Sequence, residues 1–262
     1  MKLYAGCFLK MEASLPTPTI LMLRPRSGGG QFVLSEEYIM EPHVAVSEYT
    51  DSYGNFCQRL IIPSGTFSIK TRTCVETIDE IDVDFSAELV PAEDIPEEIL
   101  SFLLPSRYCQ SDLLGHMALE IVEGYPQGYE QVEAIRAWIR KNIVYEYGTS
   151  DVSTSALDTA RTRTGVCRDF SHLGISLCRS LNIPARMVVG YLYDLKPMDL
   201  HAWFEAYLGG RWYIFDATQE KPVGKRISIA YGRDAADVAL ATHFGLVNLL
   251  EMNVWANDTP QE

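Results

Sequence analysis

Two glycines, Gly209-Gly210, stand between two apolar, aromatic-rich runs, His201–Leu208 and Arg211–Thr218. A two-residue glycine loop is the tightest connection open to antiparallel strands, and it fixes which residues lie opposite one another. With that loop Leu208 pairs with Arg211, and the register carries Trp203 opposite Asp216 and His201 opposite Thr218. Paired residues point to one face of a sheet, and residues two apart share it. His201 and Asp216 are then diagonal neighbours, about 7–8 Å apart at the backbone and within reach of each other's side chains. A carboxylate so placed accepts from one imidazole nitrogen, fixes the tautomer and leaves the other nitrogen free to act on a thiol. A three-residue loop would put the two on opposite faces.

A suitable thiol lies upstream, in Thr164-Gly165-Val166-Cys167-Arg168-Asp169-Phe170-Ser171-His172-Leu173. From Leu173 the apolar residues Leu177 and Leu181, with Ile175 and Cys178 beside them, keep helical spacing up to Asn182, where Pro184 stops it. The spacing predicts Cys167 at the first turn of that helix. Unpaired N–H groups and the positive end of the macrodipole favour an anion there, and the thiolate is the nucleophilic form. Asp169 favours the same positive end and competes for it. The helix must bury its stripe on the sheet that directly follows, which brings Cys167 toward His201. Nucleophile, base and orienter together are what covalent acyl transfer needs.

The rest of the chain changes character near residue 105. Residues 1 to about 90 read as strands: Thr19–Leu23, Val44–Tyr49, Phe56–Ile62 and Thr66–Thr77, the last with Phe67, Ile69, Thr71, Thr73 and Val75 on one face. They predict a β-sandwich-like domain over residues 1–105, with no recognisable chemistry of its own. Residues 91–110, with Pro91, Pro96 and Pro105, read as a linker. Helices are expected at Asp112–Val122, Tyr129–Ile143 and Ala156–Arg161, strands at Arg186–Tyr193 and the Gly209-Gly210 hairpin, and a last strand over Leu246–Val254. Residues 106–262 are assigned to a second domain, which makes the fold class α+β.

A formal net charge of −13 leaves nothing to neutralise phosphates, so nucleic acid and acidic membrane surfaces are unexpected partners. Six cysteines without C-x-x-C or zinc-ligand spacing argue for free thiols and no metal. With no secretory leader and no apolar run of membrane-spanning length, the expected location is cytoplasmic.

Four separated motifs now occur in order: Gly165-Val166-Cys167-Arg168-Asp169-Phe170, Ile183-Pro184-Ala185-Arg186, His201-Ala202-Trp203-Phe204-Glu205 and Trp212-Tyr213-Ile214-Phe215-Asp216-Ala217-Thr218. Over about residues 110–220 the chain resembles the microbial transglutaminase-like superfamily, and the tail from Tyr231 to Asp237 resembles bacterial members with an N-terminal β-domain. Ala217 departs from the Asp-Pro-Thr common in the family, a backbone detail that leaves the carboxylate in place. The resemblance implies a papain-like core with helices packed on an antiparallel sheet. It implies Cys167 as nucleophile, His201 as base and Asp216 as orienter, with no cofactor. Glu205 is carried by the family motif and expected in a supporting hydrogen-bonding role, and Trp203 as a site wall.

The Cys167 amide is one expected oxyanion donor. Papain-type enzymes carry Gln six residues before the Cys, where this chain has Arg161, so a second donor is sought in Tyr145 or Tyr147. His172 is expected to be structural or at the rim. The chemistry so read is hydrolysis of a peptide or carboxamide through a thioester, with a peptide or protein as substrate. Protein-glutamine transglutamination, or a catalytically silent binding module on the same fold, are the alternatives. Acetyl transfer from a thioester cofactor ranks last, because no basic patch would hold a phosphate-rich carrier. Oligomeric state is not legible.

Overall fold

The computed structural model describes residues 1–221 and 223–260. Six strands come first: β1 (Lys2–Ala13), β2 (Thr17–Arg24), β3 (Gln31–Glu41), β4 (Ser47–Thr50), β5 (Phe56–Ile62) and β6 (Gly65–Thr77). Alternation places Leu9 and Met11 of β1, Leu21 and Leu23 of β2, Leu60 and Ile62 of β5, and Phe67 and Ile69 of β6 in one buried cluster. That cluster fills the space between two sheets, as in a sandwich. β6 matches the strand marked at Thr66–Thr77, while β1 and β3 lie in stretches where no strand was singled out.

Helices follow: α1 (Glu97–Leu100), α2 (Gly115–Ile121), α3 (Tyr129–Asn142), α4 (Ala156–Thr162) and α5 (Cys167–Ser180). The two-residue strands β7 (Val144–Tyr145) and β8 (Thr164–Gly165) pair in parallel between them. Residues 169–179 of α5 are all buried, so it is a core helix covered on every side rather than an amphipathic surface one. The second sheet region holds β9 (Ala185–Leu192), β10 (His201–Leu208), β11 (Arg211–Phe215) and β12 (Arg226–Gly232), in the antiparallel order β11-β10-β9-β12. Phe204, Ala206 and Leu208 of β10 face the same core as Leu173 and Leu177 of α5. This is the α+β arrangement, helices on an antiparallel sheet, expected from the sequence.

The Gly209-Gly210 loop has two residues and both take positive φ, 53° and 89°, as a type I′ hairpin requires. Leu208 pairs with Arg211 and Phe204 with Phe215, the register the loop length dictates. The returning strand is shorter than expected. It stops at Phe215, because Asp216 turns its carboxylate onto the Thr218 N–H at 3.0 Å and its carbonyl accepts from Gln219.

Two other expectations change. Residues 91–110 are no free linker: Ile95, Ile99 and Phe102 are buried with Tyr207 of β10. Nor do residues 106–262 stay together. β13 (Ala241–His243) pairs with β2, and β14 (Val247–Asn257) pairs with β1, so both complete the N-terminal sheets. Alternation marks β14 as a strand but does not name its partner. The partner is set by the backbone N–H and C=O groups along that edge of β1, which β14 takes up. The β-module is also not set apart, since Leu3, Ala5, Val75 and Ala256 share one buried cluster with Leu177 and Phe204.

Candidate active site

Cys167 is the first residue of α5 and is half-buried, whereas the five other cysteines, all free, are buried. The helix start is set by Asp169, which reaches back to accept from the Val166 N–H at 2.9 Å. Val166 has no side-chain acceptor to return the bond, so only half of a capping box exists. Arg168 donates to the other Asp169 oxygen at 2.9 Å. Asp169 is thus paired with a cation and an amide of its own, which resolves the expected competition with Cys167 for the helix end.

His201 opens β10 and is 3% exposed. Its Nε2 lies 2.8 Å from Asp216 Oδ2. Burial alone would depress the imidazole's proton affinity. The Asp216 charge and hydrogen bond, with a smaller contribution from the adjoining Cys167 thiol, outweigh that and raise its pKa to about 9. Nε2 is committed to the carboxylate, which leaves Nδ1 as the ring nitrogen not engaged by Asp216. The Cys167 thiol adjoins this ring.

Asp216 is buried, which opposes its charge, but His201, Arg226 and Thr218 together hold it well below the usual carboxylate range. Its Oδ1 accepts from the Thr218 N–H at 3.0 Å and the Thr218 hydroxyl at 2.7 Å. Arg226 Nη1 is 2.8 Å from Oδ2. That approach is charge to charge, off the N–H direction, so it is an ion pair rather than a hydrogen bond. Nothing in the sequence drew attention to Arg226. No strand is expected there from the sequence; the alternation Ile227-Ser228-Ile229 is the local signal that could mark one, and a bulge between Ser228 and Ala230 breaks it.

The remaining expected residues divide. Tyr145, on β7, is held by β7–β8 pairing opposite Gly165 and packs on Phe170 at 5.6 Å between ring centroids. Burial, then the nearby Cys167, push its phenol pKa up, and the phenol oxygen also lies against the Cys167 amide. Tyr147 meets Tyr145 edge-on at 5.5 Å and is 56% exposed, so it walls the approach rather than touching the sulfur. Trp203 lies beside the His201 ring at 6.2 Å, with the Arg226 guanidinium 4.9 Å over its other side.

Glu205 does not join the group. It shares the His201 face but lies four residues along β10, roughly 13 Å away at strand rise. Its carboxylate takes Arg186 at 2.6 Å, and Arg186 is sandwiched between Trp212 and Tyr231. His172 is fully buried, stacked on Tyr108 with rings 9° apart. A cavity of about 320 Å³, lined in part by Tyr145, Tyr147, Leu200, His201 and Thr218, opens onto the imidazole.

The profile of the transglutaminase-like superfamily matches residues 115–217. A crystal structure from Cytophaga hutchinsonii, of a protein proposed to be a cysteine protease, superimposes with a TM-score of 0.90 and 39% identity, covering 100% of this chain and 92% of that one. The uncharacterised protein ML0607 of Mycobacterium leprae is 38% identical over 117 residues, 41% of this chain and 42% of its own. The uncharacterised protein YebA of Bacillus subtilis is 25% identical over 125 residues, 39% of this chain and 17% of its own. The matches thus span less than half the length of these two curated relatives.

Proposed function

The chain belongs to the transglutaminase-like superfamily, and on that premise we propose that it is a thiol-dependent acyl-transfer enzyme, a cysteine peptidase or amidase. The observation that carries this reading is His201 held by Asp216 at 2.8 Å beside a half-buried thiol at a helix N-terminus. The Cytophaga hutchinsonii relative supports it at the level of a cysteine-protease-like enzyme.

The thiol proton passes to His201 Nδ1, where the raised pKa of the ring holds it, and Cys167 Sγ then attacks the carbonyl carbon of a peptide or carboxamide to form the C–S bond. The resulting oxyanion is stabilised by the Cys167 N–H and the Tyr145 hydroxyl, which keeps its proton because its pKa is raised. The C–N bond then breaks as His201 returns the proton to the leaving amine. Water attacks the thioester with His201 again as base, and the C–S bond breaks to free the acid and the thiol. Asp216 keeps the ring oriented and stabilises the imidazolium. We favour water over an amine acceptor, because no second dedicated amine site is found in the sequence. The six free thiols suit a reducing compartment.

The test is turnover of peptide and carboxamide libraries by the wild type and Cys167→Ala, with and without glycine methyl ester as acceptor. Wild-type hydrolysis is expected, falling at least about 10³-fold in the variant. An amide of the added amine as main product would make the enzyme a transglutaminase. Equal turnover by both proteins would sink the reading.

A further inference from the structure

β12 is the outer strand of the sheet β11-β10-β9-β12, so one edge of it lacks a strand partner. That edge is buried, and an unpaired N–H or C=O there would be costly. Side chains from the N-terminal module take the place of the missing strand. Gln31, at the start of β3, donates to the Ser228 carbonyl and accepts from the Ser228 N–H, both at 2.8 Å. Asn55, just before β5, donates to the Tyr231 carbonyl at 2.7 Å and accepts from its N–H at 2.9 Å. Thr77, the last residue of β6, donates to the Arg226 carbonyl at 2.7 Å. All three are buried.

The strand so held carries Arg226, which is 4% exposed and lies with its guanidinium over Trp203. Its Nε donates to the Val223 carbonyl at 2.9 Å, which fixes the plane of the head. Asp216 is its only anionic partner among the described residues. A buried guanidinium must be compensated, and a buried carboxylate likewise, so the two constrain each other in place. The same Asp216 oxygen receives His201 Nε2.

We propose that Arg226 is the positioning residue for Asp216, and that the N-terminal β-module holds Arg226 in place through Thr77, Gln31 and Asn55. This rests on the acyl-transfer reading and gives the module a part in it. Arg226 holds Asp216 Oδ2 in place, so that the carboxylate stands between two cations. Its charge also limits how strongly Asp216 can hold a proton on His201. Other titratable or charged groups face this set: the Cys167 thiol from α5, Arg136 from α3, neutralised by Glu133 at 2.6 Å, and Arg140, Lys196 and Asp199 at the cleft mouth. Among the described residues, Arg226 is the one cation besides His201 that pairs with Asp216.

The experiment follows the His201 ring by 15N NMR titration in the full chain, in wild type, Arg226→Met, Arg226→Lys and Thr77→Val. Iodoacetamide alkylation of Cys167 is measured alongside, in wild type and His201→Ala. Removing the cation is expected to move the His201 titration up by about one pH unit. Lys at 226 is expected to restore it, and Thr77→Val, which leaves the charge but loosens its strand, to give a smaller shift of the same sign. An unchanged titration in folded Arg226→Met overturns the assignment. Should that variant not fold, an unchanged titration in Thr77→Val does so. A shift in Arg226→Met without one in Thr77→Val overturns the part given to the N-terminal strands. If wild-type Cys167 is alkylated no faster than in His201→Ala, the acyl-transfer reading fails instead, and the inference with it.

Discussion

Asp216 serves two cations with one oxygen, His201 Nε2 and Arg226 Nη1 each at 2.8 Å, while Thr218 holds the other. The raised His201 pKa of about 9 is therefore a property of the carboxylate as much as of the ring. In Asp216→Asn the burial of the imidazole is no longer offset, and its proton affinity should fall below that of an exposed histidine. Hydrolysis at pH 7.5 is expected to drop about 10²- to 10⁴-fold. The alkaline limb of a pH–kcat/KM profile, set near pH 9 by loss of the His201 proton, should move to acid. His172 shows the opposite shift. Burial depresses it to about 4, its Nε2 accepts the Ala235 N–H at 3.1 Å, and its Nδ1 has no partner among the described residues. Its neutral form is needed for folding, so the stability it allows is complete above about pH 6.5 and is lost as pH falls toward 4. The loss is on the order of 3 kcal/mol. Urea melts across that window should show it, and His172→Gln should flatten it.

At the scale of elements, the hairpin was legible because a two-residue glycine loop leaves one register, and residues opposite each other follow by counting. The Cys167 helix was legible from Leu173, Leu177 and the stop at Pro184. What was not legible shares one cause: it depends on which strand lies beside which. β12 hides behind its bulge, and Arg226 reaches Asp216 only because β12 lies against β9. Glu205 was placed on the right face, but its capture by Arg186 depends on a neighbour that alternation does not name. Gly190, opposite His201 on one side and Ser228 on the other, is what lets β12 approach. A Cβ there would come 1.9 Å from the Ile227 carbonyl oxygen. Gly190→Ala is expected to cost about 1–3 kcal/mol, read as a Tm lowered by roughly 2–10 °C.

For the whole molecule, the sandwich is built from both flanks of the sequence. β14 covers the edge of β1 from Tyr4 opposite Asn257 to Ala13 opposite Val247. A chain cut after residue 240 should expose that edge, lose its cooperative melt and elute as aggregates on size exclusion. A peptide of residues 241–257 added in trans should restore both, by supplying the missing strands. Recovery of a monomer with an unchanged melt in the cut chain would show that β14 is dispensable. The same dependence has a consequence in time. Cys167, His201, Asp216 and Arg226 have all left the ribosome before the strand that finishes the sheet supporting them. A nascent chain therefore carries Cys167, His201, Asp216 and Arg226 while the support behind Arg226 is still incomplete, and that support is finished only once β14 has emerged.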